Sequence, residues 1–299
     1  MRLPDLSYSR VEVAPGVSLQ VAVAGSGPPV LLLHGYPQTH LIWARVAPEL
    51  ASTHTVVVPD LRGYGDSDKP DPAADGPDDA AYSKRVMADD VVALMEHLGH
   101  DRYAVVGHDR GGRVGHRLTL DHPDRVERLA VLDIVPTLHA FEHVDRTLAH
   151  GYFHWFFLSA GDGIPETMLA GDPEAWIRLR VTDHDLSGER LDPAAVDDYV
   201  RCFADPAAIA ASCSDYRAAA GIDLVHDRAD RDAGARLTRP TLVLWGEHGF
   251  VGRSYDVLAT WAPFAAPEAG LTGHALPCDH YVPEQAPEGT LAALRDFLG

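Results

Sequence analysis

The chain has 299 residues, 46% of them hydrophobic and 23% charged, which is enough to bury a large core and excludes a disordered or fibrous polymer. Its net charge of −19, spread along the sequence, argues against nucleic acid or an anionic membrane as partner; an anionic ligand would need a local cluster of cations. No apolar run approaches the roughly 18 residues of a spanning helix, and Cys202, Cys213 and Cys278 fit no metal spacing, so neither metal nor cofactor is expected. An odd cysteine count and a start without a leader-like run predict a reducing, cytoplasmic setting.

In chain order, residues 11–13 and 19–23 alternate like the arms of a hairpin. Residues 30–33 and 55–58 are short apolar runs of the kind buried on both faces of a sheet, and residues 42–50 between them have helical spacing. Residues 69–80, rich in Pro, Asp, Ala and Gly, read as a surface loop. An amphipathic helix follows over 82–98, then a buried strand at 103–106, a helix over 111–120 and a strand at 129–132. Strands alternating with helices predict a mostly parallel sheet. After Pro136 the pattern changes to long helical stretches, and Asp-Pro pairs at 172, 192 and 205 mark helix starts. The strand pattern returns at 240–245, and a last helix covers 288–298. The expected fold class is α/β, with a core from residues 1–137 and 229–299 and an inserted helical cap over 138–228.

The most informative stretch is Gly107-His108-Asp109-Arg110-Gly111, between the strand at 103–106 and the helix after it. This is a nucleophile elbow, Gly-x-Nuc-x-Gly, with aspartate in the place of serine. A carboxylate is already ionised at neutral pH, attacks saturated or epoxide carbon without a base, and leaves an ester that water can cleave. Serine at the same carbon would leave an inert ether. Ser254 has only the preceding glycine of the motif, so serine acyl transfer is disfavoured. The plain alternative, an aspartate that merely starts a helix, is outweighed by the two glycines and the buried strand. Arg110 and Arg113 flank the nucleophile, and paired guanidinium groups at a helix N-terminus suit a small carboxylate. The competing reading for them is an ion-pair network, and it is preferred for Arg117, with Asp121 as i+4 partner.

With these residues the chain resembles the fluoroacetate (haloacetate) dehalogenases, a family of α/β-hydrolases. The resemblance is carried by His34-Gly35-Tyr36-Pro37-Gln38-Thr39 with Trp43, by residues 60–67 (DLRGYGDS) and by residues 107–123. Residues 132–137 (LDIVPT), His154 with Trp155, Asp215-Tyr216-Arg217, and His280-Tyr281 with Glu284 and Pro287 complete it. It implies a triad of Asp109, His280 and Asp133, a carboxylate held by Arg110 and Arg113, and a halide held by His154, Trp155 and Tyr216. It also implies an oxyanion hole from the backbone N–H groups of Tyr36 and Arg110, no cofactor, a small anionic substrate and a homodimer. Glu247 competes with Asp133 for the acid, His274 with His280, and Tyr199 with Tyr216.

The sequence departs from the family at three places. Tyr36 stands where Phe is usual, adding a hydroxyl near the site entrance; Asp279 stands where Gly commonly precedes the histidine. Residues 180–185 lack an aromatic that would narrow the pocket, which would admit larger acids. An epoxide hydrolase is the main rival, with Tyr152, Tyr199 and Tyr216 as ring-protonating tyrosines, but it has no use for two elbow arginines. A haloalkane dehalogenase is disfavoured because Arg110 replaces the expected Trp, and a non-catalytic binding protein because the triad is complete.

Overall fold

The structure, a computed structural model, describes residues 2–3, 5–72, 79–182 and 191–299. Eight strands form one sheet: β1 (Ser7–Ala14), β2 (Val17–Ala24), β3 (Pro29–Leu33), β4 (Thr55–Pro59), β5 (Tyr103–His108), β6 (Val126–Leu132), β7 (Thr241–Gly246) and β8 (Thr272–Leu276). Their order is β1-β2-β4-β3-β5-β6-β7-β8. β1 pairs antiparallel with β2, and β2 with β4; the remaining pairs are parallel.

The apolar runs in β3, β4 and β5 sit at the centre of the sheet, where both faces are covered. β8 was not anticipated. It is the edge strand, mostly exposed, and its sequence Thr-Gly-His-Ala-Leu has neither alternation nor an apolar run. The helical spacing at 42–50 resolves into a 3₁₀ turn, His40–Trp43, and a one-turn helix, Ala47–Leu50, because Pro48 fits only a first turn. The Asp-Pro pairs behave as expected: Asp172, Asp192 and Asp205 each accept a backbone N–H at the start of a helix.

Between β6 and β7 the described residues are helical, from Thr137–Glu142 to Ile222–Asp232, and this is the cap. Arg117 pairs with Asp121 and also with Asp227 and Asp230 on the last of these helices, tying the helix after the elbow to the cap's exit. The strand ends that matter lie along one rim. β5 runs into Asp109, β6 into Asp133, and the loop after β8 carries His280. That is the C-terminal edge of a parallel sheet, where such folds place their ligands.

Candidate active site

The elbow is strained as its motif requires. Asp109 has φ 44° and ψ −114°, a backbone cost of about 1–3 kcal/mol that its surroundings must offset. Its N–H donates to Leu132 O at 3.2 Å. A Cβ on Gly107 would lie 2.4 Å from Gly111 O, and one on Gly111 2.5 Å from His34 O, so neither position accepts a side chain. The turn points the carboxylate towards the loop after β3, where Tyr36 N–H donates to Asp109 Oδ2 at 3.1 Å. Burial raises the Asp109 carboxyl, but His280, Arg113, His108 and Arg110 together hold it below its ordinary value.

Asp133, at the end of β6, also has a positive φ, 53°. Its Oδ1 accepts Gly246 N–H at 2.9 Å, and its Oδ2 accepts His280 Nδ1–H at 2.6 Å. Nε2 is therefore the imidazole nitrogen left to take up a proton. Burial lowers the His280 pKa, but the hydrogen bond and charge of Asp133 and the charge of Asp109 leave it raised, with Arg180 opposing. His108 packs on His280 with ring centroids 4.8 Å apart and donates Nε2–H to His280 O at 2.8 Å. Burial pushes His108 down to about 3, so it stays neutral. Glu247 and His274, the sequence's competing acid and base, are exposed, whereas Asp133 is fully buried against His280. Asp279 is buried, and the backbone at 279 passes so close to Gly246, its carbonyl oxygen 1.8 Å from where a Cβ would lie, that position 246 accepts no side chain.

The arginines differ from the expected pair of open forks. Arg110 Nε donates to Asp215 Oδ2 at 3.0 Å and Nη2 to Asp215 Oδ1 at 2.5 Å, so its fork is occupied by a cap carboxylate. Its guanidinium lies 4.2 Å from the Tyr216 ring centroid, and Nη1 has no hydrogen-bond partner among the described residues. Asp215 also accepts from Tyr64 OH at 2.5 Å and pairs with Lys84, which Asp223 flanks at 3.8 Å. Arg113 spends Nη1 on Val135 O at 3.1 Å and Thr137 Oγ1 at 2.9 Å, and stacks 4.6 Å from the Trp155 centroid. The competing ion-pair reading thus holds in part for Arg110 as well as for Arg117.

A pocket opens above Asp109, lined by Tyr36, Asp109, Tyr152, His154, Trp155, Arg180, Phe250, His280 and Tyr281, with a free volume of about 10 Å³, near that of one water. His154 and Trp155 stand in this wall beside Asp109. Tyr216 is set back, its ring 5.8 Å from His154 and 5.4 Å from Tyr36. The competing Tyr199 is turned to Glu284, donating to Oε1 at 3.0 Å. The Tyr36 hydroxyl is not at an open entrance; it is buried and accepts Trp176 Nε1–H from the cap at 2.5 Å. Of residues 180–185, those from 183 on lie outside the described residues; the narrowing aromatics come instead from Tyr36, Tyr152, Trp155, Phe250 and Tyr281.

A family model described as the alpha/beta hydrolase fold matches residues 28–287. The chain belongs to the α/β-hydrolase family. It is 44% identical to a fluoroacetate dehalogenase of Burkholderia sp over 94% of this chain and 90% of that one. It is 34% identical to a soluble epoxide hydrolase of Corynebacterium sp. over 95% and 94%. A solved structure of a putative α/β hydrolase from Nostoc sp PCC 7120 superposes with a TM-score of 0.93 at 47% identity, covering 99% of each chain.

For this α/β-hydrolase, sequence reasoning missed Lys84, Trp176 and Arg180, and the partner that Asp215 makes with Arg110. Asp215 was visible only inside a motif. The other three carried no local signal, since the groups they meet are remote in sequence.

Proposed function

We propose that this hydrolase dehalogenates small 2-haloacids, converting a haloacetate, fluoroacetate included, to glycolate and halide. One observation carries the reading: the strained elbow presents a carboxylate, not a hydroxyl, to His280, which is paired with the buried Asp133. In the first step an Asp109 oxygen forms a bond to the α-carbon while the carbon–halogen bond breaks and halide leaves with the electron pair. Tyr36 N–H already engages Oδ2, which makes Oδ1 the attacking atom. In the second step His280 Nε2 takes a proton from water, and the hydroxide adds to the Asp109 carbonyl carbon. Negative charge develops on Oδ2, where Tyr36 N–H and the helix N-terminus at Arg110 stabilise it. Collapse expels glycolate, whose alkoxide takes the proton back from His280; the new Asp109 carboxyl, with one oxygen from water, then passes its remaining proton through His280 to solvent, and the carboxylate is restored.

His154 and Trp155 in the wall, with Tyr216 behind them, are the halide donors in this scheme; Arg110 Nη1 and Arg113 serve the carboxylate. The likeness to the fluoroacetate dehalogenase supports it. Epoxide hydrolysis is the second reading, favoured by Tyr152 in the pocket wall and by the epoxide hydrolase relative. Halide release from chloroacetate and fluoroacetate separates the two. Asp109→Asn should abolish release, and His280→Gln should release about one equivalent and stop, holding the ester on a peptide containing Asp109. Turnover of styrene oxide with no halide from any 2-haloacid would overturn the proposal.

A further inference from the structure

Arg110 and Arg113, which serve the carboxylate in this scheme, stand just behind the lining residues, Arg113 against the Trp155 ring. Arg110 is bound through its fork to Asp215, and Arg113 is bound to Val135 O and Thr137. A different cation does form the wall. Arg180 comes from the cap helix Pro173–Thr182 and stands in the same lining as Asp109 and His280.

Arg180 is placed there by three contacts. It lies four residues after Trp176, so the two share a helix face. Trp176 fixes that face against the site by donating to Tyr36 OH at 2.5 Å. The loop beyond β8 fixes it again, because Tyr281 OH donates to Arg180 O at 3.2 Å. The guanidinium sits 5.8 Å from the Phe153 ring centroid, on the neighbouring cap helix that carries His154 and Trp155. The residue is only 8% exposed, and its charge acts on His280. A buried guanidinium in the wall of the pocket above Asp109 favours an anion there over a neutral ligand. It offers planar N–H donors suited to a carboxylate.

Resting on the dehalogenase reading, we propose that Arg180 is a specificity-determining residue, a cap-side cation that contacts the substrate carboxylate and selects α-haloacids over neutral α-halo compounds.

The test compares chloroacetate with its neutral counterpart chloroacetamide. Halide release is measured for the wild type, Arg180→Gln and Arg180→Lys. Loss of one charge-assisted contact predicts that the ratio of kcat/KM for the acid to that for the amide falls about 10- to 100-fold in Arg180→Gln, mainly through KM for the acid. Arg180→Lys should recover part of that ratio. An unchanged ratio overturns the proposal, including a case where both substrates slow equally, which is the mark of a merely structural role. If Arg180→Gln does not fold, Arg180→Met, which keeps the packing on Phe153, replaces it. Binding without chemistry is read by calorimetric titration of chloroacetate into Asp109→Asn with and without Arg180→Gln. If the wild type releases no halide, the dehalogenase reading falls, and this titration still decides Arg180. At least tenfold weaker binding in the double variant supports it; equal or absent binding overturns it.

Discussion

Asp215→Asn tests the buried charge cluster most directly. The Asp215 carboxylate is fully buried and serves three donors besides its backbone: Arg110, Tyr64 and Lys84. Burial alone would raise its pKa, but Arg110 and Lys84 hold it far below the ordinary carboxylate value. Replacing it by an amide leaves two buried cations with Asp223, 3.8 Å from Lys84, as the nearby anion. Breaking a buried pair by removing one partner costs about 3–5 kcal/mol. The cost does not double for two cations, because Lys84, already lowered by burial and by Arg110, can shed its proton, while Arg110 cannot. The expected loss is therefore about 3–5 kcal/mol, a fifth or more of a typical domain's stability of about 5–15 kcal/mol. Urea unfolding should show a lower midpoint with an unchanged slope. The sign with pH follows from the depressed pKa. The stabilisation is present above the ordinary value of 3.8 and is lost as pH falls through the folded value, so the two proteins converge in acid. Released from Asp215, Arg110 also loses its orientation, and KM for a haloacid should rise. A loss under about 1 kcal/mol at neutral pH, with KM unchanged, would refute the reasoning.

Two further outcomes are expected. Asp109→Asn should lower the His280 pKa, since Asp109 is one of the charges that raise it, and NMR titration of the His280 ring reports this directly; an unchanged value would mean that the nucleophile does not act on the base. Glu284 is partly buried, and its carboxyl is pushed up to about 8 by the loss of solvent around it. A raised carboxyl contributes stability that is full below its ordinary value of 4.5 and is lost as pH rises through about 8, so thermal stability should decline across that window and flatten in Glu284→Gln.

Much of the scaffold was legible because its determinants are local. The central strands β3, β4 and β5 are buried on both faces and read as apolar runs, and the elbow is a five-residue pattern whose glycines are demanded by contacts under 3 Å. β8 was illegible because an edge strand has no such constraint. The acid stayed open between Asp133 and Glu247 because both follow a sheet strand; only the path of the chain brings His280 to Asp133. The charge cluster was out of reach for the same reason, with Lys84 and Asp215 separated by 131 residues and Arg110 and Asp215 by 105. Helical spacing in the cap predicts helices, but not which of their polar residues turn inward.

Those long-range contacts share a direction. Arg110 is held by Asp215, Arg113 is covered by Trp155, and the Tyr36 hydroxyl accepts from Trp176. Tyr64 reaches Asp215, and Tyr281 reaches the Arg180 carbonyl. In each pair one residue belongs to the sheet-bearing core and the other to the cap. Asp109, His280 and Asp133 all lie within the core, so bond-making in the proposed reaction does not need the cap to be in register. The groups that would recognise an acid and a halide do need it, because the cap sets how much of each arginine remains to meet substrate. Selectivity in the proposed reaction is therefore a property of the seam. A substitution that shifts the cap by a fraction of an ångström should change which acid is accepted before it changes whether Asp109 can attack.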